Sequence, residues 1–214
     1  LMNPEPLADF VDFFVIGEAE VIAGPLIQVL REGKVQGKPK EELLHELMTI
    51  EGIYVPQFYS VTYRPEGTIE SWIPRETAPP RVKRVWLKNL NSSLTVSSLL
   101  TPNTELSGMF LLELSRGCHR RCRFCAGCYT YFPHRVRDGP RLQEMAVRNS
   151  GPGTKVGLVG AAISDYPDLL SLGREILHSQ RTLSFSSLRV DSLTPELADL
   201  IYDSGQKTVT LAPE

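Results

Sequence analysis

Residues 109–128 read MFLLELSRGCHRRCRFCAGC, and this stretch decides the fold prediction. It begins with a β-prone apolar run over residues 109–114. The run continues into a loop that holds every cysteine of the chain: Cys118, Cys122, Cys125 and Cys128. Thiols so close together along the chain cannot link its distant parts, so no disulfide framework is expected. They predict a metal site directly after a strand.

Strands and helices alternate regularly on both sides of this loop. The predicted strands cover residues 109–114, 156–163, 183–187 and 208–211, and the predicted helices between them cover residues 140–148, 167–177 and 194–202. This alternation is typical of parallel strands joined by right-handed crossovers, in a barrel or an open sheet. In both architectures functional residues gather at the carboxyl ends of the strands, where the cysteine loop lies.

The first half of the chain shows a different order of elements. We expect a buried strand, two helices and a β-hairpin, over residues 10–16, 17–31, 43–48 and 54–73. Gly24-Pro25 could interrupt the first helix, and Arg64-Pro65-Glu66-Gly67 is a natural hairpin turn. Residues 74–107 are rich in proline and polar residues and predict a linker that packs on the protein.

Composition limits the classes of protein that this chain can represent. The 214 residues carry 23 basic and 25 acidic side chains, a net charge of −2, and are 42% hydrophobic. This composition predicts a folded α/β protein, and no apolar run reaches the roughly 18–20 residues of a membrane span. Any nucleic-acid contact must be local. The clustered thiols and the absence of a secretory signal at the start predict a cytoplasmic protein.

Two kinds of metal site suit the cysteine spacing, zinc and an iron–sulfur cluster. Three observations favour the cluster. All the thiols come from one loop, whereas structural zinc usually ties two chain segments together. Three cysteines on a four-iron cube leave one iron open for catalysis. The loop also follows a first strand, where a barrel presents its active site.

The spacing C-x3-C-x-aromatic-C, formed by Cys118, Cys122, Phe124 and Cys125, resembles the signature of the radical S-adenosylmethionine (radical SAM) enzymes. The resemblance extends over about residues 109–214. It implies a [4Fe-4S] cluster on the three cysteines, with S-adenosylmethionine chelating the fourth iron. Reductive cleavage would yield a 5′-deoxyadenosyl radical that abstracts hydrogen from a substrate, with a flavodoxin- or ferredoxin-type electron donor. No catalytic side chain is assigned.

The same resemblance implies a set of cofactor-binding residues. The backbone at Phe124 would recognise adenine, and Gly160 and Ala161 stand where the family places a turn for the methionine amino group. That turn is commonly two glycines and an acid, whereas this chain has Gly-Ala-Ala. The positions that would contact the ribose or the carboxylate are Ser186, Arg189 and Glu214.

A narrower resemblance is to a radical SAM branch whose barrel follows a cobalamin-binding-like Rossmann domain. It implies the end of such a domain over residues 1–52, a hairpin and linker over 53–107, and the first four strands of a partial parallel (βα) barrel over 108–214. The chain is accordingly interpreted as a fragment. Cobalamin as a cofactor stays undetermined.

The cysteine spacing is also compatible with two other kinds of site. One is a non-catalytic zinc module, and another is an electron-transfer protein whose cluster has Cys128 as a fourth ligand. An arginine-rich segment could supply an electropositive mouth for the cofactor or for an RNA substrate, in RNA modification or in methyl or methylthio transfer. Its members are Arg116, Arg120, Arg121, Arg123, Arg135 and Arg137.

Overall fold

The computed structural model describes residues 3–75 and 77–213. The chain divides into two compact units, Leu1–Leu87 (unit 1) and Lys88–Glu214 (unit 2). Each unit has its own hydrophobic core. All four cysteines belong to unit 2.

Unit 1 contains two helices and two antiparallel strand pairs. In chain order its elements are β1 (Phe14–Val15), α1 (Ala19–Gln36), α2 (Lys40–Met48), β2 (Ile53–Tyr54), β3 (Tyr59–Tyr63) and β4 (Ile69–Pro74). β1 pairs with β2, and β3 pairs with β4 across a turn at residues 64–68. The predicted hairpin is therefore confirmed.

The first helix extends to Gln36, beyond the predicted end at residue 31, and α1 continues through Gly24 and Pro25 without a break. A proline inside a helix removes one hydrogen bond and costs roughly 3 kcal/mol. Ile22 is buried on one side of this position, and Leu26 and Val29 pack against the same core on the other. Packing of this apolar face outweighs the local preference of the backbone, so the expected interruption is wrong.

Unit 2 is built on a parallel sheet. In chain order its elements are β5 (Met109–Glu113), β6 (Ser115–Arg116), α3 (Gly127–Thr130), β7 (Arg135–Val136), α4 (Gly139–Asn149), β8 (Lys155–Val159), α5 (Leu169–His178), β9 (Thr182–Ser184), β10 (Leu188–Arg189), α6 (Pro195–Asp203) and β11 (Leu211–Ala212). The sheet has the order β5-β8-β9, with every pair parallel. The α/β prediction is confirmed for this three-stranded sheet.

The fourth predicted strand does not join that sheet. β11 pairs in parallel with β10, and residues 185–187 separate β10 from β9. At this break the side-chain amide of Gln206 accepts a hydrogen bond from the Phe185 N–H at 2.8 Å and donates one to its carbonyl at 3.2 Å. The Gln206 side chain thus makes the two hydrogen bonds with Phe185 that the backbone of a neighbouring strand would make in a continuous sheet. The strands of the described residues form no closed barrel, and the partial barrel stays a prediction.

The helices of unit 2 cover the sheet with apolar faces at helical spacing. The buried residues are Leu142, Met145 and Ala146 of α4, Leu169, Leu172 and Ile176 of α5, and Leu197, Leu200 and Ile201 of α6. Spacings of three and four residues place each set on one side of its helix. They pack with the buried strand residues into one core.

The segment before β5 is attached to the sheet. Val96 forms an antiparallel bridge with Leu112, and the Ser97 hydroxyl accepts a hydrogen bond from the Leu111 N–H at 2.8 Å. This part of the predicted linker therefore packs on the protein, as expected. Among the helices of residues 3–75 and 77–213, none has the length and apolar character needed to cross a bilayer.

The buried side chains of the sheet should dominate the stability of unit 2. Leu112 is fully buried, so Leu112→Ala should lower the free energy of unfolding by about 2–5 kcal/mol through lost burial and a residual cavity. Leu99→Ala is the matched control, because Leu99 is 87% exposed. It should change stability by less than about 0.5 kcal/mol. Urea unfolding followed by circular dichroism measures both, and equal losses would contradict the assigned core.

Candidate functional site

The cysteine loop leaves the sheet through a short antiparallel closure. β6 and β7 pair at its base, with Ser115 opposite Val136 and Arg116 opposite Arg135. Gly117 follows at a φ of +82°, where a Cβ atom would lie 2.5 Å from the Tyr131 carbonyl oxygen. Only glycine combines this backbone conformation with so close a crossing of the two chain segments. The base of the loop is therefore narrow and closed.

One carboxylate connects both ends of the loop. Glu113, the last residue of β5, accepts two hydrogen bonds of 3.0 Å from the Arg116 guanidinium on the outgoing segment. Its Oε2 also accepts a 2.7 Å hydrogen bond from Arg137 on the returning segment. Paired arginine–carboxylate contacts of this kind are strong and directional. They fix the spacing of the two segments relative to the sheet.

Arg137 continues this network into the segment before the sheet. Its side chain is completely buried, and it donates to the carbonyls of Leu90 and Ser93 and to the Thr95 hydroxyl at 2.8 Å. A buried guanidinium needs such partners, since its desolvation is costly. Arg137 therefore supports the loop from inside the protein and does not face the solvent.

The expected electropositive mouth is accordingly smaller than the sequence indicated. Arg116 and Arg137 are paired with Glu113, and Arg120 is paired with Asp165. The Arg121 guanidinium carbon lies 5.9 Å from the centre of the Phe132 ring, a cation–π distance. At least three of the six arginines thus have a carboxylate as a partner among the described residues, which balances part of their charge locally.

The sequence-predicted residues converge on one cavity of about 170 Å³. It lies at the carboxyl ends of the parallel strands, as expected for this class of fold. The cysteine loop forms one wall, and the segments after β8 and β9 form the other. The predicted residues that line it are Cys118, Cys122, Cys125, Gly160, Ala161, Ser186 and Arg189.

Other predicted positions do not line this cavity. The Phe124 side chain is 78% exposed and lies outside the lining, so only its backbone remains a candidate for the role that the resemblance implied. Glu214 lies outside the described residues. Arg120, expected in the electropositive mouth, and Cys128, the fourth ligand of the alternative cluster, also line the cavity. Ser164 and Ala212, which carried no prediction, line it as well. In the sequence, the feature that indicates such lining residues is their proximity to the cysteine loop or to the end of a strand.

The four thiols differ in their surroundings. Cys118 and Cys122 are half-buried, Cys125 is exposed and Cys128 is buried. The Cys125 N–H donates to the Cys122 carbonyl at 3.1 Å, whereas the Cys128 thiol donates to the Cys125 carbonyl at 3.4 Å. The Cys118 sulfur in turn accepts a 3.5 Å hydrogen bond from the Arg120 N–H. The thiols therefore differ mainly in burial, with three at least partly accessible and Cys128 buried.

Donor chemistry, and not a preformed coordination geometry, supports a metal cluster here. Within residues 3–75 and 77–213, no three side chains of the kinds that ligate metals are placed to hold a single ion. A four-iron cube binds each thiolate at a different iron, so its ligands stand around it and not around one point. Three thiols on one cavity wall match that donor set.

On the opposite wall of the cavity, the backbone at Gly160 lies close to β6. At Gly160, directly after β8, a Cβ atom would lie 2.8 Å from the Ser115 hydroxyl oxygen and 3.3 Å from a methyl group of Ile163. A side chain here would displace β6, which begins the cysteine loop. The absence of a side chain thus lets the turn after β8 pack closely against β6, where Gly160 lines the cavity.

Asp165 links this wall to the loop. Its carboxylate is 4% exposed and accepts hydrogen bonds of 2.8 and 2.6 Å from the Arg120 guanidinium. Hydrogen bonding to Arg120 lowers the pKa of Asp165 from its ordinary value of 3.8, and burial opposes that effect. The His119 Nε2 lies 3.9 Å from the same carboxylate. The adjacent Ser164 hydroxyl accepts from the Arg189 N–H at 3.4 Å, so this turn touches both walls.

The sequence of this chain is similar to known proteins in two respects. Residues 1–56 match the family model described as radical SAM proteins, N-terminal. An uncharacterized protein from Methanocaldococcus jannaschii is 29% identical over 215 residues, which is 98% of this chain and 39% of that protein. The chain thus spans less than half of the relative. The family match supports membership of the radical SAM superfamily, and it covers a part of the chain without cysteines.

The ion pair between Arg120 and Asp165 predicts a pH-dependent contribution to stability. Because the pKa of Asp165 is lower in the folded state, the contribution is present above pH 3.8 and is lost as the pH falls through the lowered value. Asp165→Asn should therefore reduce the urea midpoint at pH 7, and the difference from the parent should shrink toward pH 2. Asp199→Asn, an exposed acid on α6, should show no such trend. A difference that stays constant with pH would contradict the pairing.

Proposed function

We propose that this chain carries the cofactor-binding part of a radical SAM enzyme. In this proposal Cys118, Cys122 and Cys125 bind a [4Fe-4S] cluster, and S-adenosylmethionine occupies the remaining space of the cavity. The observation that carries the proposal is the convergence of these three thiols with the turns after β8 and β9. Residues distant in the sequence meet there, in the arrangement that the resemblance of the cysteine motif implied.

The family match and the cysteine loop support the proposal independently. The match ends at residue 56, and the loop begins at residue 117, so neither depends on the other. The reaction of the whole protein is a proposal as well, since the chain covers 39% of its relative. The bound cluster and cofactor would supply a 5′-deoxyadenosyl radical for hydrogen abstraction when an external flavodoxin- or ferredoxin-type donor provides an electron.

The protein's own residues would orient the cofactor. Gly160 and Ala161 present backbone groups to the cavity, where a methionine amino group could be held. Arg189 lines the cavity, is 9% exposed and is kept in position by a 2.6 Å hydrogen bond to Asp191. A guanidinium placed there would favour the anionic carboxylate of the cofactor. Ser186 adds a neutral hydroxyl, and the backbone at Phe124 and the side chain of Glu214 complete the proposed set.

The arrangement of Cys128 favours an open cluster over a closed one. Its thiol is 3% exposed and donates to the carbonyl of Cys125 within the first turn of α3. The three proposed ligands are more accessible than this fourth thiol. An open iron is the position that S-adenosylmethionine would occupy. Cobalamin as a second cofactor and the cobalamin-binding-like domain stay predictions of the resemblance alone. RNA as substrate stays a prediction from the arginine-rich segment.

The proposed ligand set can be tested on the chain itself. After anaerobic reconstitution, the parent should contain a [4Fe-4S] cluster, and Cys122→Ala should lose most of its iron and its reduced EPR signal. Cys128→Ala is the matched control and should retain both. Iron and sulfide analysis with Mössbauer spectroscopy measures occupancy.

Addition of S-adenosylmethionine separates the rival sites. An open iron predicts a changed EPR signal in the parent and in Cys128→Ala. A cluster that is lost in Cys128→Ala, or a signal insensitive to the cofactor, would indicate a four-cysteine electron-transfer site. One zinc ion per chain without any cluster would refute the proposal in favour of the zinc module.

A further inference from the structure

Unit 1 contains a cavity that the proposed function does not use. Its volume is 310 Å³, within the range typical of sites for small molecules. We call it the aromatic cavity. Its apolar side is formed by Ile16, Tyr54, Ile69 and Trp72, and its polar side includes Glu5 and Arg81.

A stack of aromatic rings makes the apolar side rigid. The ring centres of Trp72 and Tyr59 are 4.1 Å apart with an angle of 17° between the planes. Tyr54 lies 6.0 Å from Trp72 and 5.0 Å from Tyr59, and its hydroxyl accepts a 3.4 Å hydrogen bond from the indole N–H. Rings held by such contacts are preorganised, so a planar ligand could stack there without a large entropic cost.

The two charged residues of the cavity differ in what they already bind. The Glu5 carboxylate accepts hydrogen bonds from the hydroxyls of Tyr54 and Tyr63, and burial together with this contact raises the pKa of Tyr54. Glu5 is thus committed to holding the tyrosines. Arg81 is exposed, and no hydrogen bond or ion pair joins it to another of the described residues. Its guanidinium is the charge available to a ligand.

We propose that the aromatic cavity binds a small planar aromatic molecule that carries an anionic group. The planar body would stack against Trp72 and Tyr54, and the anion would pair with Arg81. A cationic ligand would be repelled by the positive charge of Arg81, and the Glu5 carboxylate already accepts hydrogen bonds from Tyr54 and Tyr63. An aliphatic anion would lose the ring contacts. Arg81 also lines a neighbouring cavity, but that cavity has no aromatic wall.

Binding can be measured on the 214-residue chain without a metal, because the aromatic cavity lies in unit 1 and the cysteines lie in unit 2. Failure here would leave the cluster proposal untouched. Isothermal titration calorimetry with 2-naphthoate tests the planar anion. Naphthalene-2-carboxamide lacks the charge, and cyclohexanecarboxylate lacks the aromatic ring. Each should bind at least about fivefold more weakly than 2-naphthoate, by the loss of the ion pair or of the ring contact.

Two variants and one control variant test whether 2-naphthoate binds in the aromatic cavity. Arg81→Gln should weaken 2-naphthoate about fivefold, and Arg64→Gln, an exposed arginine of the β3–β4 turn, should leave it unchanged. Ile69→Glu puts a carboxylate into the cavity at a position that is 39% exposed, so it should fold and should abolish measurable binding. The proposal is overturned if 2-naphthoate does not bind, if the three probes bind equally, or if Arg81→Gln and Ile69→Glu bind like the parent.

Discussion

The carboxylate of Glu113 is the constraint on which the cysteine loop depends. It stands at the end of β5 and holds one arginine from each end of the loop, Arg116 and Arg137. Because Arg137 is fully buried, removing its partner would leave an uncompensated charge, at a cost of about 3–5 kcal/mol. The loop is therefore anchored at its base by electrostatics and hydrogen bonding.

This anchoring explains why the thiols line the cavity. The base of the loop is fixed to β5, and the Arg120–Asp165 pair ties its middle to the turn after β8. Between these two attachments the chain must pass over the carboxyl ends of the strands. The cavity thus lies between the loop held by these ion pairs and the carboxyl ends of the parallel strands.

The arginines of the loop show how the same residue type serves different roles. A run of cations without acids nearby in the sequence predicts a surface for anions. In the structure Glu113 and Asp165, which lie outside the run, approach it and pair with three of its arginines. Arg189, which lines the cavity, is likewise paired with a carboxylate, that of Asp191. Unit 1 repeats this logic on a smaller scale, where Glu5 holds tyrosines and Arg81 stays available.

The sequence by itself determined the local features of this protein. Hydrophobic spacing predicted the helices and the parallel strands, and the intervals between Cys118, Cys122 and Cys125 indicated the kind of site, because these signals act over a few residues. Only tertiary structure decided that α1 continues through Pro25, that Gln206 interrupts the sheet and that Arg137 is buried. Each of these outcomes depends on contacts between residues far apart in the chain, whose energies exceed the local preferences of the backbone and of charged groups for water.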